Sequence, residues 1–306
     1  MSLSKKTTRW MDKHNITRQD EKTVVVTGAN SGIGFKIAET MVYLGATVIM
    51  ACRNLSKAES AKRALLDEYP NANIHVIELD IASLNSIDRF VETISNNKIN
   101  IDVFVNNAGI FHHKGEVTSD GFEAVLGTNF IGTYYICEKL FPYLETLGHP
   151  VTLINTISLA HRFGKIDFND FYYSKHYGNF KVYARSKVAL AKYTYSLATS
   201  RQNSNVTVLM NHPGISMTPI ALQSFGKMIY TIGGALKWMF NSPEKSSLSV
   251  SLIMSKHFDA GSIIGPNVLV NGWGYPRKNR IRKRVKTGGE ELKEFAEVEI
   301  SRVRNK

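Results

Sequence analysis

The chain has 306 residues, 43% of them hydrophobic, and a net charge of +12, which is enough apolar material for a large buried core. No run of about 18 apolar residues suits a membrane span, and the opening segment lacks the apolar centre of a secretory signal. Its two cysteines, Cys52 and Cys137, read as buried packing residues in a reducing cytoplasm, and no histidine or cysteine spacing suits a metal.

Residues 1–21 form a basic N-terminal arm. The β-branched run 23–27 (TVVVT) predicts a buried parallel strand, broken by the glycines of 28–34 and followed by a helix over 35–44. Strands are predicted at 47–51, 74–79 and 102–105, with helices at 56–68 and 84–95 between them. A long helical region spans 119–147, a strand 151–157, a helix 180–200 and a sixth strand 206–210. Residues 267–270 supply a seventh strand. This alternation predicts a single doubly wound α/β domain over 22–275, its parallel sheet covered by helices on both faces. Residues 215–265 read as an insertion-like region within it. Residues 276–306 form a basic extension in which 277–286 (RKNRIRKRVK) holds seven cations in ten residues. No zinc-finger spacing or RNA-binding aromatic motif accompanies them, so a solvated surface is preferred over nucleic acid or an anionic membrane.

Between the first strand and first helix lies Gly28-Ala29-Asn30-Ser31-Gly32-Ile33-Gly34. Glycines at this point let backbone approach a pyrophosphate, and the helix N-terminus favours its charge. The spacing Gly-x-x-x-Gly-x-Gly resembles the loop of short-chain dehydrogenases/reductases, whose Rossmann-like domain the chain is similar to over residues 22–218. About 20 residues further on, an NAD site would place an acid against the ribose. Residues 47–56 contain none and end the second strand in Arg53, which suits the 2′-phosphate of NADP(H). Asp80 follows the third strand, where the family contacts adenine, although a helix N-cap is equally open to it. Asn106-Asn107-Ala108-Gly109 matches the family's NNAG, which supports the cofactor cleft.

Tyr183 and Lys187 are four apart in a predicted helix, on one face and about one turn from each other. A cation at that distance is expected to lower the phenol's pKa from its usual value of about 10. Ser158 ends the fifth strand, and Asn129 lies in the long helical region. The resemblance implies that Tyr183 is the acid/base and that Ser158 holds the substrate oxygen. It also implies that Lys187 holds the nicotinamide ribose and that Asn129 orders a relay water. Ser174, Ser186 and Thr156 are weaker rivals to Ser158. Pro213 and Gly214 match the family's Pro-Gly beside the nicotinamide, with Ile215 and Thr218 following along the cofactor; His212 reads as structural.

Ser158 precedes Tyr183 by 25 residues, a gap similar to that of the retinol dehydrogenase and protochlorophyllide reductase branch. Residues 217–240 fall where the family carries its substrate lid. They are rich in large apolar side chains, which fits a bulky apolar carbonyl or alcohol, core packing, or peripheral membrane contact. The expectation is an NADPH-dependent carbonyl/alcohol oxidoreductase, with a non-enzymatic NADPH-binding sensor or scaffold as the alternative. Homo-oligomerisation stays open.

Overall fold

A computed structural model describes residues 3–111, 115–173, 177–215, 241–268 and 272–305. In chain order the sheet begins with β1 (Thr23–Thr27), β2 (Thr47–Cys52), β3 (Ile74–Glu78) and β4 (Val103–Asn106). It continues with β5 (Val151–Thr156), β6 (Val206–Asn211), β7 (Ile263–Val268) and β8 (Trp273–Asn279). Their spatial order is β3-β2-β1-β4-β5-β6-β7-β8. The first seven are parallel, and β8 returns antiparallel to β7. The sheet therefore has eight strands where seven were expected. The chain reverses in a hairpin after β7, and its paired strands cover 263–268 and 273–279 rather than 267–270.

β1 and β4 are neighbours in space but distant in sequence. The order of connections reverses there and leaves a crevice beyond their carboxyl ends, the usual ligand position in an open α/β sheet. The central strands are apolar on both faces because helices cover both. Val25, Ile49, Phe104 and Leu153 belong to one buried cluster; Val24, Val48, Val105 and Ile154 belong to the other. Each fully buried aliphatic side chain stabilises the fold by about 1.5–3 kcal/mol.

The helices are α1 (Lys5–Lys13), α2 (Gly32–Tyr43), α3 (Leu55–Glu68), α4 (Leu84–Asn96), α5 (Ala124–Leu126) and α6 (Thr133–Thr146). They continue with α7 (Asn179–Ser200), α8 (Pro243–Ser255) and α9 (Gly289–Arg304). A π-helical turn, Gly127–Gly132, joins α5 to α6. Both ends of the chain are docked onto the sheet layers. In α1, Trp10 is buried and stacks on Tyr275 of β8 at 5.3 Å, while the Ser4 amide donates to Glu244 of α8 at 2.8 Å. In α9, Leu292, Ala296 and Ile300 are buried, and Phe295 lies 4.3 Å from Phe171. The helix packs along α7. Among the described residues, no helix is long and apolar enough to cross a membrane, and no His/Cys/Asp/Glu cluster could hold a metal.

Candidate active site

A cavity of about 950 Å³ opens at the carboxyl ends of the strands, along the β1/β4 crevice. Its floor at one end is the glycine loop. Gly28 has a φ of +67°, which an L side chain rarely tolerates. A Cβ on Gly34 would stand 2.4 Å from the Gly28 carbonyl oxygen and 2.5 Å from Asn107 Nδ2. The loop thus brings bare backbone and the start of α2 to the cavity, which a pyrophosphate requires. Thr27 Oγ1 accepts from the amides of Asn107 and Ala108, both at 2.9 Å, and Asn107 Nδ2 donates to Thr27 O at 3.0 Å. These bonds tie the NNAG segment to the glycine loop. Asn106 points the other way and donates to Asn155 at 2.8 Å beneath the site.

Asn30, Ser31, Gly32, Ile33, Arg53, Asp80, Asn107, Ala108 and Gly109 all line the cavity. Asp80 does not cap α4; Ser83 does, accepting from the Ser86 amide. Asp80 instead accepts from the Ala82 amide at 3.0 Å and sits 3.8 Å from Arg53. Sequence reasoning missed Asn54 and Lys57 here. Asn54 caps α3 by accepting from the Lys57 amide at 2.8 Å, and both residues line the cavity beside Arg53. The signal was present, since Asn54 is a residue type that caps helices and Lys57 falls in the first turn that follows.

At the other end of the cavity, Ser158, Tyr183 and Lys187 line the wall together. Ser158 begins the short helix Leu159–Arg162 and accepts from the Ala160 amide at 3.2 Å. Lys187 is 5% exposed; its Nζ donates to Thr156 O at 3.0 Å and lies 5.9 Å from the Tyr183 ring centre. The expected electrostatic priming of the phenol is not what the geometry gives. Burial pushes the Tyr183 phenol above its usual value, and only the nearby Ser158 hydroxyl works against it. The lysine is turned to a backbone carbonyl, and burial lowers its own pKa to about 8.

Asn129 lies in the π-helical turn, fully buried. Its Oδ1 accepts from the Ile110 amide and its Nδ2 donates to Ile110 O, both at 2.8 Å. Nδ2 also donates to Ser186 Oγ at 3.2 Å. The side chain therefore latches the segment after NNAG to the helix, and Ser186 braces Asn129 instead of replacing Ser158. Thr156, the other rival, lines the cavity with its hydroxyl buried, while its carbonyl holds Lys187. Ser174, Thr218 and the 217–240 segment lie outside the described residues.

Pro213, Gly214 and Ile215 also line the cavity. The Ile215 amide donates to Gly272 O at 2.8 Å, and Pro213 O accepts from Ser246 at 2.9 Å, so this wall is fixed from α8 and from the β7–β8 turn. His212 is buried behind it, 3.2 Å from Asn279 through Nε2, with its pKa lowered by burial to about 3. It is a neutral packing residue off the cavity wall.

The fold and site together define an open α/β protein with a glycine-floored dinucleotide cradle and a Ser-Tyr-Lys group at its far end. The model of the short chain dehydrogenase family matches residues 22–227, and the chain belongs to that family. Retinol dehydrogenase 13 of Homo sapiens is 37% identical over 200 residues, covering 65% of this chain and 60% of that protein. Retinol dehydrogenase 14 of Mus musculus is 37% identical over 207 residues, 64% of this chain and 62% of that protein. The match with the former spans 60% of the relative's length. Relatives of this name fall in the branch that the Ser158-to-Tyr183 gap resembles. Among solved structures, an uncharacterized protein from Mycobacterium paratuberculosis shares 27% identity at a TM-score of 0.75, covering 93% of this chain and 95% of its own. The Pseudomonas aeruginosa RhlG/NADP active-site complex shares 20% identity at a TM-score of 0.64, covering 80% and 94%, and supports the fold alone.

Proposed function

We propose that the chain is an oxidoreductase that uses NADPH to reduce a bulky apolar aldehyde or ketone to the alcohol. The observation that carries this proposal is the meeting of Ser158, Tyr183 and Lys187 on one end of a cavity whose other end is the glycine cradle. The residues fit a dinucleotide because the loop offers bare backbone where a Cβ on Gly34 would collide. Residues Gly28 to Gly34 would hold the pyrophosphate, and Arg53 with Lys57 the 2′-phosphate. Pro213, Gly214 and Ile215 would border the nicotinamide. The bound dinucleotide supplies the hydride.

Ser158 and Tyr183 line the same end of the cavity, where a carbonyl oxygen would accept from both hydroxyls. A phenol raised above its usual pKa stays neutral at physiological pH, so Tyr183 holds a proton to donate to the oxygen as negative charge develops there. Lys187 would hold the nicotinamide ribose, and Asn129 keeps the segment after NNAG in place beside it. Phe111 packs against Tyr183 at 4.8 Å, and Leu159, Ala160, Phe163, Phe180 and Ile215 complete a largely apolar wall. Such a lining favours apolar substrates. Two cations beside the adenosine end favour the extra phosphate of NADP.

The test is a panel of aldehydes and ketones graded in apolar size, followed by nicotinamide absorbance with NADPH and NADH in parallel. Oxidation of NADPH in preference to NADH, faster with the larger apolar carbonyls, is expected. Dinucleotide binding with no turnover on any member of the panel would instead support a sensor or scaffold.

A further inference from the structure

We infer that Arg284 is a positioning residue of the active site: it grips the backbone on both sides of Phe163 and fixes the segment that begins at Ser158. The inference rests on the carbonyl-reducing reading above, and it gives one member of the basic run a task inside the molecule.

Six of the seven cations between 277 and 286 are exposed; Arg284 alone is half-buried. Its Nη1 donates to Arg162 O at 2.9 Å and its Nη2 donates to Gly164 O. One planar guanidinium thus takes two carbonyls two residues apart, a fork that a lysine ammonium does not reproduce. The neighbouring Val285 is wholly buried, which anchors the short helix Lys283–Val285 and holds the arginine in place.

The gripped segment is pressed from its other side against α7. A Cβ on Gly164 would stand 2.1 Å from Ala184 O and 2.7 Å from Val188 Cγ1, on the turn of helix that carries Tyr183 and Lys187. Arg185 of that turn donates from Nε to Lys165 O at 2.7 Å, and from Nη1 to Asp170 O at 2.5 Å and Phe171 O at 3.0 Å. Two arginines therefore hold the carbonyls of the excursion between Ser158 and Tyr183, one from the C-terminal segment and one from the catalytic helix. Between the two carbonyls that Arg284 holds, the Phe163 ring is 65% exposed and stands 6.1 Å from Phe180, both lining the cavity. Fixing this backbone fixes Ser158 at one end of a four-residue helix and the aromatic wall at the other.

The variants are Arg284→Ala, Arg284→Lys and, as control, Lys283→Ala on an exposed neighbour. Arg284→Ala is expected to lower kcat/KM for the preferred carbonyl on the order of 10- to 100-fold, as a small misplacement of reacting groups does. Dinucleotide affinity is expected to stay within about twofold, because the glycine cradle is built from other elements. Arg284→Lys recovers part of the loss, millimolar guanidinium restores activity to Arg284→Ala, and Lys283→Ala matches the wild type. A kcat/KM for Arg284→Ala and Arg284→Lys within about twofold of wild type overturns the inference. Hydrogen exchange gives a second readout independent of turnover. The His161 and Phe163 amides, bonded to Ser158 O and Ala160 O, should exchange faster in the Arg284 variants. Unchanged protection there overturns the inference. A wild-type protein inactive on every carbonyl removes the functional proposal while the exchange measurement still decides the clamp.

Discussion

The two ends of the cavity are built on different principles. The dinucleotide end is made of backbone: three glycines, a helix N-terminus and Thr27 pinning two amides of the NNAG segment. The substrate end is made of side chains carried on an excursion of the chain between Ser158 and Tyr183, and it is held from outside by Arg284 and Arg185. Backbone built into strand ends has few ways to vary, whereas an excursion can change its lining without disturbing the sheet. The ligand that one end recognises can therefore be constant while the other end's is not.

Variants of the two ends should separate these contributions. The largest effect is expected at the chemical centre: Tyr183→Phe should lower turnover by about 10²- to 10⁴-fold while dinucleotide binding, followed by fluorescence titration, persists. Loss of binding in that variant would mean that the two ends are not separable. Gly34→Ala should do the reverse. Its Cβ would meet backbone that cannot yield, so dinucleotide binding should be lost and stability reduced by about 1–3 kcal/mol in denaturant titrations. Gly34→Ala protein with wild-type affinity would contradict the cradle.

Acid probes the substrate side of the sheet. Burial holds His161 and His212 neutral, with pKa values of about 4 and about 3. Below pH 6.5 the unfolded chain takes up protons that the native chain refuses, so stability falls as pH drops from 6.5 toward 4. The slope is about 1.4 kcal/mol per pH unit for each histidine. Denaturant titrations at a series of pH values should show this loss, and His212→Gln should make it shallower. A slope identical in variant and wild type would exclude His212 as a source. The smallest effect is expected at the adenosine rim: Arg53→Ala should weaken NADPH by about tenfold and leave NADH nearly unchanged, because the contact is solvent-exposed. Equal loss for both dinucleotides would count against a 2′-phosphate contact.

Much of this was legible from residues alone. The glycine spacing, NNAG and the Tyr183–Lys187 pair fall on elements whose period and order are strong signals, and the cavity gathers all of them. The protonation state of the tyrosine was not legible. Helical spacing places the lysine one turn away, but its Nζ is aimed at Thr156 O, and burial holds the phenol's pKa up. Asn129 was found in the right helix, yet its latch onto Ile110 depends on a π-helical turn that no periodicity announces. The eighth strand was hidden because its run, WGYPRKN, lacks apolar alternation and contains a proline. Arg284 could not be told from its neighbours because its partners lie more than a hundred residues away.

That last strand has a consequence for how the molecule meets its own kind. A terminal strand exposes a row of unused amides and carbonyls to any extended chain that drifts past. β8 offers a poor template: Pro276 has no amide to give, Arg277 and Lys278 beside it are exposed cations, and α1 sets the Trp10 ring over Tyr275. Part of the positive charge read from the sequence as a solvated surface thus works against a second sheet growing onto the first.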